Sequence, residues 1–365
     1  MSLYVIIYLI LLLFSIFTYA IKKDIPLLYW ICFIILTLFA CFRFGEGADY
    51  FAYSFHYSMA PDFWTTPNSN IYLKVGHGEL GYKYLMVLFK ILGVEYKYFV
   101  SILSIIDMLL INRFIQKFCY YKVIALFLMF HTLYLTYVFS AYRQSIVICV
   151  FLGILFNLLL EKKYFQYCIG VTILCFFHIA AGVLILLPLV AKFSVEFLEI
   201  CLTFSILLGM FFSVIFKYSD FQWFAIIERL VTLVFVIYMY SIYSKSNFNY
   251  EISIAIKCYI YGISIYMLLL GNSLISSRLS YALKALEIFI IVFMLRNVES
   301  INDICMIFIT VLCTTIFAKN MTVVTSRYYS NINIWNMPYV TIFEDQNKIF
   351  KDYPGSAIYN YDLSD

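Results

Sequence analysis

Charged side chains are so thinly spread along this chain that long windows contain almost none, and that spacing limits the possible folds more than any motif. A helix crossing about 30 Å of hydrocarbon needs roughly 20 mainly apolar residues. Windows of this kind, or close to it, fall at 3–21, 26–41, 79–92, 98–115, 122–141, 144–160, 165–190, 193–216, 223–243, 253–271, 282–296 and 301–318. The 365 residues are 64% apolar and 13% charged, against about half and about a quarter in a soluble domain. The excess has to face lipid. The sequence therefore predicts an all-α, polytopic integral membrane protein of about 11–12 transmembrane helices, with the lipid bilayer as its first partner.

The formal charge of +4 is small and scattered, which leaves nothing from which to build a nucleic-acid surface. The ten cysteines form no CxxC pair and read as small buried hydrophobes. His56, His77, His131 and His178 are not spaced as a ligand set, so neither a metal nor a cofactor is expected. Trp30, Trp64, Trp223 and Trp335 fall at window edges or in loops, where interfacial anchoring explains them.

No linker or internal repeat divides the chain, which reads as one polytopic domain over 1–365. A polar external loop is expected at 42–78 and a short polar C-terminal tail at 319–365. The first window leads into Lys22-Lys23-Asp24 rather than a small-residue cleavage site, so it reads as an anchor. The basic clusters at Lys22-Lys23, Arg113–Lys117–Lys122 and Lys162-Lys163 should share the cytoplasmic side. Twelve full crossings would put the second cluster on the wrong side; a re-entrant 79–92 segment, carrying Lys83 and Lys90, removes the conflict.

Gly76-His77-Gly78-Glu79-Leu80-Gly81 matches GxGxxG literally, but that fingerprint works only inside a βαβ unit, and here another apolar window follows. Charges near apolar windows carry more information, because each costs on the order of 3 kcal/mol at a helix centre unless it is wet or paired. Arg43 follows the second window and, taken singly, reads as a snorkelling arginine; Asp49 reads as a turn residue. Arg143-Gln144 opens a window, where an arginine opposes the helix macrodipole while an anion there would be welcome. His178 sits midway along 165–190, where a hydrogen bond to a neighbouring helix is the ordinary reading and a polar cavity the alternative. Arg278 lies among small polar residues, and Asp107 and Glu287 read as paired or at window ends.

Arg43-Phe44-Gly45 leading to Asp49-Tyr50, then Glu79-Leu80-Gly81-Tyr82, Tyr142-Arg143-Gln144, Glu161-Lys162-Lys163, Phe177-His178 and Arg278-Leu279-Ser280-Tyr281 together resemble a known order of motifs. It is that of the EpsG branch of Wzy-type repeat-unit polymerases for O-antigen, capsule or exopolysaccharide. The resemblance runs over about residues 30–290. It implies a multi-pass protein of the bacterial inner membrane, similar in fold to the lipid-sugar glycosyltransferases called GT-C. Such an enzyme joins oligosaccharides carried on undecaprenyl diphosphate at the periplasmic side, with a chain-length regulator as a further partner and no cofactor.

Transfer from a lipid diphosphate builds positive charge at the sugar and negative charge on the leaving group, so fixed cations there stabilise the transition state. Arg143 and Arg278, with Arg43, Gln144 and Tyr82, are the expected diphosphate and substrate contacts. His178, Asp49 and Glu79 are the candidates to take the acceptor proton, His178 first for its titration range. Tyr50, Tyr53 and Trp64 offer stacking faces for sugar. Gly76-His77-Gly78 departs from the small polar residue and proline often found before the family's glutamate. The competing readings are a flippase for the same lipid-linked sugar, an O-antigen ligase and a sugar O-acetyltransferase.

Overall fold

The computed structural model describes residues 1–47, 49–61, 78–215, 222–244, 249–298, 302–325 and 333–344. Trp64, Gly76, His77 and the tail from 345 onward lie outside the described residues. Among the described residues there is no sheet, and helix follows helix. Ser2 caps α1 (Leu3–Ile21) through its hydroxyl, and Lys22 ends it in the left-handed region at φ 55°. Pro26 then opens α2 (Pro26–Cys41), where its missing N–H costs nothing. The short α3 (Tyr50–Ser58) and α4 (Leu80–Ile91) come next.

The middle of the chain comprises α5 (Tyr96–Phe118), α6 (Lys122–Val138) and α7 (Tyr142–Leu160). α6 turns π-helical over Phe130–Val138, and α7 does so over Phe151–Leu155. Two short helices, α8 (Tyr164–Cys175) and α9 (Ile179–Val190), lead to α10 (Val195–Ile215), α11 (Trp223–Ser244) and α12 (Tyr250–Leu268). The last are α13 (Ser273–Lys284), α14 (Glu287–Asn297) and α15 (Asn302–Thr325).

Hydrogen bonds and ion pairs show which helix ends share a side of the bundle. At one end Asp24 pairs with Lys122 at 3.2 Å, Lys117 donates to the Asn157 side chain, and Glu161 pairs with Lys163 at 2.7 Å. The three basic clusters therefore share that end. At the other, Ser101 Oγ donates to the Cys41 carbonyl at 2.5 Å, Ser2 Oγ donates to that of Ile334 at 2.6 Å, and Arg43 bridges to Thr341. Since α5 starts where α2 stops, α3 and α4 between them stay on that second side. The 79–92 segment does not cross: twelve residues of α4 reach only about 18 Å.

The 165–190 window does not cross either, which corrects the expectation of one span. Helix α8 rises from the basic end and breaks at Phe176–His178, and α9 returns beside it. The Tyr167 hydroxyl donates to the Leu184 carbonyl at 2.8 Å, and Lys257 reaches the Ala191 carbonyl at 3.2 Å. His178 adopts an extended backbone (φ −157°, ψ 120°) at the tip. Among the described residues seven helices of 19 to 23 residues are long and apolar enough to cross a membrane, and the shorter α2 and α6 also run from one end of the bundle to the other, which still leaves fewer than the 11–12 expected. The difference lies in windows that resolve into shorter pieces, such as 282–296, where α13 and α14 meet at Ala285-Leu286. The final helix runs past 318 to Thr325, so the expected tail begins as helix.

Most buried apolar side chains form one core along α6, α7, α12 and α14. A second cluster of Tyr50, Tyr53, Tyr57, Tyr82, Phe99 and Tyr142 fixes α3 and α4 against α5 and α7. Gly81 is required where α4 meets the hairpin tip: its N–H donates to the Phe176 carbonyl at 2.7 Å, and a Cβ there would stand 2.7 Å from the same oxygen. A topology reporter fused after Lys192 is expected to score on the same side as one fused after Lys163, and a reporter after Gly93 on the opposite side. Opposite scores after Lys163 and Lys192 would rule out the hairpin.

Candidate functional site

The hairpin tip, the start of α4 and the start of α7 converge on one set of polar side chains. Glu79, just before α4, pairs with Arg143 at 2.5 Å and accepts the Ile179 N–H at 3.2 Å, the first amide of α9. Arg143 also donates from Nε to the Tyr53 hydroxyl at 2.9 Å. Burial raises the Glu79 carboxyl, but the Arg143 guanidinium and the Ile179 amide outweigh it, and its pKa ends below the ordinary value. Glu79 is thus an anion held in place by one cation and one helix start.

His178 caps α9: its Nδ1 accepts the Ala180 N–H at 3.1 Å, while Nε2 lies 3.2 Å from the Gln144 side chain. A neutral imidazole with Nδ1 accepting carries its proton on Nε2, so the Gln144 carboxamide must turn its oxygen to the ring. Burial, opposed by Glu79 and helped by Arg143 and Arg278, takes the His178 pKa from 6.5 to about 4, and the ring is neutral at pH 7. In this arrangement His178 presents a proton and has no free lone pair, which weakens it as a base.

Next to this junction a cavity of about 510 Å³ opens at the bundle end opposite the basic clusters. Glu46, Asp49, Gln144, Arg278 and Lys319 bring the charge and hydrogen-bonding capacity to its wall. Arg278, on α13, is exposed. Glu46 is enclosed, accepting from the Val340 N–H at 3.1 Å and from the Tyr4 hydroxyl; burial, with Glu344 adding to it, raises its pKa well above the ordinary value.

The expected site residues divide into three groups. Asp49, Gln144 and Arg278 line the cavity, and His178 touches Gln144 from behind. Glu79 and Arg143 form the neighbouring ion pair. Arg43 and Tyr82 are enclosed away from the wall, at 1% and 0% exposure. The Arg43 guanidinium donates to the carbonyls of Ala40 and Val138 (2.8 Å to the latter) and to Ser104 at 3.1 Å. It also lies over the rings of Phe139 and Tyr142, at 4.6 and 5.3 Å. Tyr50 and Tyr53 are buried in the aromatic cluster with Tyr82.

Lys319 and Glu46 escaped the sequence reading. Lys319-Asn320 looked like the end of an apolar window, yet Met321, Val323 and Val324 continue the helix beyond it and could have signalled a polar side chain inside a span. Among the described residues no group of three or more His, Cys, Asp or Glu could hold a metal ion.

A helical multi-pass membrane protein with a charged cavity at one end of its bundle is the class these features define. The model of the EpsG family matches residues 26–341. The chain belongs to the EpsG family and is a polysaccharide-polymerase-like membrane transferase. Neither the curated proteins nor the solved structures contain a match.

The His178 shift sets a pH dependence. Between pH 6.5 and 4 an unfolded histidine binds a proton that the folded one refuses, so stability falls as the pH falls through that window. Glu79, depressed by Arg143, adds a further loss below its ordinary 4.5. Glu46, raised by burial, works in the opposite sense as it takes up its proton, so the His178 contribution is read as a difference. The melting temperature of the wild-type protein relative to His178→Asn, which can still cap α9, should fall between pH 6.5 and 4, and a difference that stays constant over that window would count against the assignment.

Proposed function

We propose that this protein polymerises undecaprenyl-diphosphate-linked oligosaccharide repeat units into O-antigen or a related surface polysaccharide, on the periplasmic side of the bacterial inner membrane. The observation that carries the reading is the cavity holding Arg278, Gln144 and Asp49 at the end away from the basic clusters, in a chain of the EpsG family. By the positive-inside rule the basic end faces the cytoplasm, which leaves the cavity facing the periplasm.

In the proposed reaction a hydroxyl oxygen on the non-reducing-end sugar of one lipid-linked unit attacks the anomeric carbon of the growing chain. A new C–O bond forms, the bond from that carbon to the diphosphate breaks, and undecaprenyl diphosphate departs with the bonding pair. Arg278, a planar five-donor cation open to the cavity, receives the charge that builds on the diphosphate.

The acceptor proton goes to Asp49, the one of the three candidate bases that lines the cavity. Glu79 is held as an anion by Arg143, which makes it a weak base and an effective anchor; His178 offers a proton through Nε2 and orients Gln144. The Arg143–Glu79 pair then positions the hairpin tip and leaves Arg143 less of its charge for the diphosphate. A chain-length regulator is the expected protein partner, and the reaction needs no cofactor.

Lipopolysaccharide gels from a deletion strain test the reading. Loss of a polymerase leaves core bearing a single repeat unit, and loss of a flippase or ligase leaves bare core. Full ladders with altered serology would point to acetylation. Asp49→Asn in the complementing copy should lower long-chain material by roughly 10²-fold or more, the usual contribution of a general base. Wild-type ladders from that variant would remove Asp49 from the reaction.

A further inference from the structure

The cavity wall holds a cation that the sequence motifs do not reach. Lys319 on α15 lines the same space as Arg278, in a helix of otherwise apolar character. Its ammonium lies 4.8 Å from the Phe224 ring centroid. Among the described residues neither Lys319 nor Arg278 has a hydrogen bond or ion pair. A half-buried lysine without a counter-ion is costly in a membrane helix, and the cost falls if the side chain faces water or meets an anion.

The nearest buried acids are already paired. Lys284 pairs with Glu228 at 2.7 Å and with Glu287 at 3.5 Å, all three buried or nearly so. Beside them Arg229 donates to Ser280 at 3.1 Å and lies over the Tyr266 ring at 3.8 Å. Two acids and two bases close this group on itself. On the cavity wall Glu46 is engaged by Tyr4 and Val340. Arg143 is neutralised by Glu79, and Arg43 is enclosed. Asp49 is the remaining acid on the wall, one carboxylate against the two cations Arg278 and Lys319, so the excess positive charge of the cavity falls on that pair.

Lys319 is also held in register. The next residue, Asn320, donates from its side-chain amide to the His131 carbonyl at 3.2 Å, in the π-helical part of α6. That bond locks the turn of α15 carrying Lys319 against the helix that leads to the cavity floor.

We infer that Lys319 and Arg278 together form the anion subsite of the cavity, which takes the diphosphate of an isoprenoid-linked substrate. The inference rests on the proposed function and deepens it, assigning the leaving group to this pair rather than to Arg143. An arginine fork and a lysine point charge are complementary on a diphosphate: the fork fixes two oxygens and the ammonium follows the charge as it moves.

The test uses the full chain in lipid nanodiscs with farnesyl diphosphate as the probe and inorganic pyrophosphate as the headgroup alone. Lys319→Met is expected to weaken farnesyl diphosphate binding by about tenfold or more, the usual scale for losing a charge-assisted contact, while Lys319→Arg keeps most of it. Pyrophosphate should compete, which separates headgroup recognition from binding through the isoprenoid. In the wild-type protein, farnesyl diphosphate should also protect Lys319, and not Lys162, from reductive methylation followed by mass spectrometry; this arm holds even where Lys319→Met does not fold. Unchanged affinity in Lys319→Met, or methylation of Lys319 that the probe leaves unaltered, overturns the subsite. Either result leaves the deletion-strain gels intact as the separate measure of polymerase function.

Discussion

A helical hairpin that turns round among apolar helices exposes the first amides of its returning arm, and no water in a bilayer is at hand to satisfy them. Here Glu79 takes the Ile179 N–H and His178 takes that of Ala180. The rest of the polar junction follows from this need. Glu79 must be ionised to serve a helix start well, so it needs Arg143; Arg143 needs the Tyr53 hydroxyl; and the His178 ring, its Nδ1 committed to the cap, is left with one proton to offer Gln144. Local backbone chemistry thereby orients the side chains at the cavity edge.

The apolar windows gave most helices to within a few residues, because the requirement that lipid be faced by apolar side chains is local and leaves little freedom. α1 and α2 coincide with their windows. What the windows could not show is direction. Residues 165–190 have the same hydropathy whether they pass straight through or fold back, and contacts such as Tyr167 with Leu184 and Lys257 with Ala191 tell the two apart. The same holds for Lys319, whose polarity marks a span end in sequence and a cavity wall in space.

The candidate site was legible as a set of residue types and less so as a set of roles. Arg43 and Arg143 look equivalent in sequence, each beside an apolar window. The first is buried on backbone carbonyls and aromatic rings, and the second shares its charge with a carboxylate. Burial and partnership arise from residues far away along the chain, so no short motif carries them. The order Asp49, Gln144, Arg278 around one cavity likewise depends on α3, α7 and α13 meeting at the same end of the bundle.

Arg43 has an effect on the order of assembly. Its guanidinium needs the end of α6, its backbone bridges to Thr341, and the carboxylate three residues on needs the amide of Val340. Nearly three hundred residues separate those partners. During synthesis the rim around Arg43 and Glu46 therefore stays open until the last described segment has been threaded and folded back. Contacts this distant in sequence form late because loop closure must come first. Maturation of the cavity is in this way coupled to completion of the chain, and a ribosome-bound or truncated product would carry the helices without a finished site.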